Sequence, residues 1–189
     1  TGRTPFRTGI ESWIPPDTDV QLGRRELTIA TLVKREGYQT FLAGKWHLNG
    51  GLDVAAHAQP GDHGFEHWLA LHAWAIPNHR NPSNFFRAGK PVGEMTGYAA
   101  QIVVDEALAW LEKRNADAPF FLYLPHTAVH TPVHAGEKFR GKSGNGQFGD
   151  WVEEVDWSVG QVLNTLRELK LTERTLVVFT SDNGPWLIK

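Results

Sequence analysis

Apolar runs with strand character alternate with segments of helical spacing along this chain, and that alternation narrows its fold more than any other feature. Over residues 27–36, Leu27, Ile29, Ala30, Leu32 and Val33 recur as on one face of an amphipathic helix, which Gly37 stops. Tyr38 to Ala43 follows as a short strand ending at Gly44. Residues 98–114 return to helical spacing through Ile102, Val103, Ala107, Leu108, Trp110 and Leu111. Pro119 breaks that run, and Phe120 to Leu124 is continuously apolar, as in a strand buried on both faces. Asp150 followed by Glu153 predicts a capping box at the start of a third helix. Val152, Val155, Val159, Val162, Leu163, Leu166 and Leu169 give its apolar face, and Thr175 to Thr180 reads as a third buried strand.

Three helix–strand repeats predict an α/β fold, a mostly parallel central sheet flanked by helices. Residues 1–26 and 132–149 read as loop, and 48–97 as a long irregular region with a small hairpin near Phe85 to Pro91. Ligands of such sheets bind beyond the carboxyl ends of the strands, so chemistry is expected there.

Composition removes several alternatives. The net charge of -2 and the absence of a basic run give no footprint for nucleic acid or an anionic membrane. No apolar stretch is long enough to span a bilayer. With no cysteine, disulfides and Cys-based zinc sites are excluded within these residues. The chain opens on Thr1 rather than Met, so further sequence upstream is expected.

Each strand end carries polar groups suited to chemistry. After the first come Gly44-Lys45-Trp46-His47; in an extended chain Lys45 and His47 share one side and Trp46 takes the other. After the second come His126, His130 and His134. Their spacing of four suggests a helical stripe of metal ligands, but Pro125 and Pro132 disrupt any such helix. A loop presenting one or two histidines to the cleft is expected instead, with His126 and His134 satisfied by local backbone. After the third come Asp182 and Asn183, hard oxygen donors suited to calcium or magnesium but too few to hold an ion alone. A cation, imidazoles and a metal-type pair at one sheet edge suit an anionic tetrahedral centre, as in sulfate and phosphate esters.

These residues resemble the sulfatase family, within the alkaline-phosphatase-like superfamily. Gly37 to Leu48 looks like the second sulfatase signature almost position for position, and Thr1-Gly2-Arg3 like the closing triplet of the first. Phe120 to Pro132 is similar to the family's strand and His-Thr-Pro turn, and Thr175 to Pro185 to its Asp-Asn-Gly-Pro segment. The likeness spans nearly the whole chain and is weakest between residues 49 and 97.

The resemblance implies one alkaline-phosphatase-like catalytic domain, of which residues 1–189 are an internal part, incomplete at both ends and inactive in isolation. It implies sulfate-ester hydrolysis by a formylglycine nucleophile lying before Thr1. Lys45 would bind a sulfate oxygen, and His47 would contact the formylglycine or help break down the sulfated intermediate. His130 would sit at the leaving-group oxygen, binding sulfate or assisting its protonation. Asp182 and Asn183 would ligate one calcium ion, and Arg3 would support the nucleophile loop. The remaining calcium ligands and a further lysine would lie outside the chain, since Lys189 stands too near Asn183. The expected partner is a sulfated small molecule or glycan, and a periplasmic, secreted or lysosome-like compartment is suggested. The stretch Leu71 to Pro77 departs from the family in lacking a small polar contact, which leaves Asn78, His79, Arg80 and Asn81 as candidates for recognition. A phosphonate or phosphodiester hydrolase of the same superfamily and a non-catalytic carbohydrate-binding relative are the alternatives. For the second, Trp110 and Trp157 lie in predicted helices and are expected in the core rather than on a sugar-binding face.

Overall fold

A computed structural model describes residues 1–184. Its frame is an open five-stranded sheet with strand β1 (Gln39–Lys45) inside it. β1 pairs in parallel with β2 (His67–Leu71) on one side and with β5 (Phe120–Tyr123) on the other. The short strands β3 (Phe86–Arg87) and β4 (Lys90–Pro91) form the expected hairpin and extend β2 antiparallel, giving the order β4-β3-β2-β1-β5. Helices α1 (Ile29–Arg35), α2 (Ala99–Lys113) and α3 (Gly146–Glu168) flank this sheet.

The two-residue period of β1 divides its side chains between two cores. Phe41 and Ala43 join Leu69, Leu71 and Phe85 with Ile102, Val103 and Ala107 of α2. Leu42 turns to the opposite face, with Ala30 of α1, Trp46, Phe65, Trp68 and Ala70. A third cluster, Leu111, Leu166 and Leu171, packs with Trp110, Phe120 and Val162 and joins α2 and α3 to β5. Trp110 stacks on Phe41 at 5.0 Å and 11°, a core role as expected, while half-buried Trp157 lies against Phe139 with the Lys138 ammonium 4.3 Å above its ring.

Several expectations need correction. The run His67–Leu71 is a full strand inside what reads as irregular sequence, because its partners are supplied by distant segments rather than by local periodicity. β5 is half-buried rather than buried on both faces, for only β1 lies beside it among the described residues, and Tyr123 is exposed. Thr175 to Thr180 forms no strand among the described residues; Leu176 is 89% exposed, and Val178 and Phe179 are exposed with it. On the seven-residue α1 only Ala30 is buried, and Ile29 and Leu32 face outward. Asp150 caps nothing: α3 begins at Gly146, and the Asp150 carboxylate accepts the backbone N–H groups of Gly141, Lys142 and Ser143 at 2.7, 3.1 and 2.8 Å. Three orphan donors in one loop outcompete a cap, and they fold that loop onto the helix.

Leu69→Ala, at a fully buried position between both sheet neighbours, is expected to lower stability by about 3 kcal/mol in urea unfolding. Leu176→Ala is expected to change it by less than about 0.5 kcal/mol. A large loss at Leu176 would show that the 175–180 segment is packed.

Candidate active site

The end of β1 is stitched to both parallel neighbours. The Lys45 N–H donates to Pro125 O after β5 at 2.8 Å, and the Trp46 N–H to Leu71 O at the end of β2 at 2.9 Å. Gly44 makes the first contact possible: its φ is +132°, and a methyl group there would collide with the Pro125 carbonyl. Beyond this point the chain leaves the sheet. Trp46 is buried in the core, as expected, and His47 takes a left-handed φ of 49° rather than continuing extended. Lys45 and His47 nevertheless stay within electrostatic reach of each other.

His47 is fixed by a segment far upstream. Its Nε2 lies 2.9 Å from the carbonyl oxygen of Ile14, a residue only 2% exposed. A carbonyl only accepts, so Nε2 carries the proton and Nδ1 the lone pair. Burial pushes this imidazole down to about 4, with the Ile14 carbonyl opposing and Lys45, His72 and His130 adding to the shift. His47 is therefore neutral at neutral pH.

His72, in the loop directly after β2, stands edge-to-face with His47 at 5.1 Å. Its Nε2 bonds the Asn49 carbonyl, and burial lowers its pKa. This histidine was not among the expected site residues. Once β2 is recognised, its place at a strand end marks it.

His130 is exposed in the loop after β5, its Nδ1 bonded to Thr131 O at 2.7 Å, and it acts electrostatically on His47 and on His79. Asp182 reaches the same region: burial lowers the Lys45 pKa and Asp182 opposes that shift, while burial and Asp182 together raise that of Tyr123. Asn183 is exposed beside it, its amide N–H donating to Gly184 O at 2.8 Å. Among the described residues no group of three or more His, Cys, Asp or Glu is placed to hold a metal ion. Arg3 is exposed, its guanidinium bound to Glu26 at 2.5 Å and to the Arg7 carbonyl at 2.8 Å. Pro185 and Lys189 fall outside the described residues.

Other histidines depart from expectation. His126 Nδ1 and His134 Nε2 are buried without a hydrogen-bond partner among the described residues, so the local backbone does not satisfy them. His79 is not available for recognition: it is buried against Trp151 at 4.7 Å, with its Nδ1 3.5 Å from the Thr127 hydroxyl. Asn81 is occupied with Gly97, whose N–H it accepts at 2.9 Å.

Fold and site together define an α/β protein that gathers a lysine, neutral imidazoles and a carboxylate beyond the carboxyl ends of parallel strands. The sulfatase family model matches residues 1–189. The chain is 34% identical to human N-acetylgalactosamine-6-sulfatase, over 100% of its own length and 40% of that protein. It is 31% identical to an N-acetylgalactosamine-6-O-sulfatase of Bacteroides thetaiotaomicron, over 96% of this chain and 49% of that one. A B. thetaiotaomicron structure from work on glycosaminoglycan metabolism superposes with a TM-score of 0.82 at 25% identity, covering 98% of this chain and 51% of that chain. A Pseudoalteromonas sulfatase at 23% identity and a TM-score of 0.78 shares the fold, covering 98% of this chain and 44% of its own. This chain belongs to the sulfatase family, and it spans less than half the length of the curated relatives it matches.

Burial holds His79 down to about 4, against an ordinary 6.5, with His134 and His130 adding to the effect. The unfolded chain takes up this proton near pH 6.5 and the folded protein only near pH 4. Its contribution to stability is thus full above pH 6.5 and is lost as the pH falls toward 4. His79→Gln is expected to flatten the pH dependence of urea unfolding across that window. An unchanged slope would show that His79 is protonated in the folded state.

Proposed function

We propose that this chain carries the central part of the active site of a sulfuric ester hydrolase acting on a sulfated glycan, with a 6-sulfated N-acetylhexosamine as the substrate class. The observation that carries the reading is the convergence of Lys45, His47, His130 and Asp182 beyond the ends of β1 and β5 in a chain of this family. The names of the relatives at 34% and 31% identity support the sugar.

In this reading Lys45 pairs with the sulfate oxygens, and Asp182 helps keep its ammonium charged against the effect of burial. His47, neutral with its lone pair on Nδ1, accepts a proton in the cleft as a general base. His130 serves the leaving-group oxygen and assists its protonation. Arg3 supports the nucleophile segment. A formylglycine upstream of Thr1 would supply the attacking hydroxyl of covalent catalysis. The Asp182 carboxylate and the Asn183 amide oxygen suit a calcium ion. Because the Asn183 N–H is engaged with Gly184, its oxygen is the atom left for a cation. Two donors are part of a calcium site, and the ion would neutralise charge on the reacting group.

With the full-length protein, Lys45→Ala is expected to lower kcat/KM for a sulfate ester by about a hundredfold or more. Chelation is expected to lower activity, with calcium restoring it. Equal or better turnover of a phosphodiester or phosphonate would move the reading to the sister hydrolases. Binding of a sulfated sugar without turnover would move it to a carbohydrate-binding protein.

A further inference from the structure

We propose that Trp13 is a stacking platform for the sugar ring that bears the sulfate ester, and so a specificity-determining residue of the cleft. The proposal rests on the reading of the site given above.

Trp13 is 61% exposed, yet its neighbour Ile14 is buried. A single exposed apolar side chain is ordinary by itself. What sets this one apart is how it is held. The Ile14 carbonyl that fixes His47 Nε2 at 2.9 Å sits one residue along, and the Trp13 ring lies 6.4 Å from the His47 ring at 57°. Downstream, the Asp17 N–H donates to Gly50 O at 2.9 Å and the Leu22 N–H to Leu48 O at 2.8 Å. Thr18 backbone presses on Gly50 so closely that a methyl group there would collide with it. Residues 14–22 thus form a strap across residues 47–50, and Trp13 stands at its upstream end beside His47.

A sulfate ester gripped by Lys45 and served by His47 must carry its carbon skeleton past these side chains. An indole whose ring centre lies 6.4 Å from that of His47 meets that skeleton. Its π face is electron-rich, and a pyranose offers a face of polarised C–H groups that packs on it. Trp13 brings no charge, so its contribution falls on ligands with a ring and not on sulfate itself.

The test uses the full-length protein labelled with 5-fluorotryptophan and with 13C-histidine. Its ligands are N-acetylgalactosamine 6-sulfate and methyl sulfate, which has no ring. Trp13→Phe assigns the Trp13 fluorine signal. Both ligands are expected to shift the His47 signal, and only the sugar sulfate to shift that of Trp13. Trp13→Ala is expected to weaken the sugar sulfate about tenfold and to leave methyl sulfate unchanged, with Trp13→Phe recovering most of the loss. An unshifted His47 signal in the ligand-free variant shows that the strap is still folded; if it is shifted, the Trp13→Phe comparison decides instead. If the sugar sulfate shifts His47 but leaves the Trp13 signal and its own affinity for both variants unchanged, the platform is overturned and the site reading stands. If neither ligand moves His47, the site reading fails and the platform fails with it.

Discussion

The pairing of β1 with its two parallel neighbours is the constraint on which the rest of the structure depends. It continues one step past the strand, where Lys45 and Trp46 donate to Pro125 O and Leu71 O on either side. Those two bonds bring the loops after β5 and β2 to the same edge. His130 and His72 thereby reach the neighbourhood of Lys45 and His47 across large distances in the sequence. The bond to Pro125 exists only because residue 44 has no side chain to obstruct it.

The second constraint is what burial does to the imidazoles. His47, His72, His79 and His126 all have lowered pKa values, with desolvation as the leading cause in each. A cluster of charged imidazoles beside a lysine would repel itself; kept neutral, the rings pack edge to face and hold a lone pair ready. The Ile14 carbonyl decides which nitrogen of His47 holds it. Lys45 is under the same desolvation, yet Asp182 counters it. A cation held beside neutral imidazoles, with one carboxylate to sustain its charge, is an arrangement suited to an anionic ester.

The strap of residues 14–22 shows how an unpromising segment becomes part of a site. Its sequence is polar and rich in proline and reads as loop, and the structure agrees that it has no regular element. Its role comes from where its backbone groups bond: N–H groups of the strap donate to Leu48 O and Gly50 O, and the Ile14 carbonyl accepts from the His47 ring. Such bonds depend on three-dimensional placement and leave no periodicity to read.

Much of the frame was legible. Helical spacing found α2 closely, apolar runs located β1 and β5, and the Gly44-Lys45-Trp46-His47 motif falls at the end of β1. These features are local, encoded in spacing, breakers and apolar runs, so the sequence by itself determined them. It also determined the family, because the motif residues are contiguous. Only the tertiary structure decided that His67–Leu71 is a strand, that Thr175 to Thr180 is not one among the described residues, and that Asp150 serves a loop instead of a cap. It alone brought His72 to His47 and turned His79 into the interior. The reason is physical: strand pairing, desolvation and the capture of orphan donors are set by which distant groups come within a few ångströms, and spacing along the chain does not record that distance.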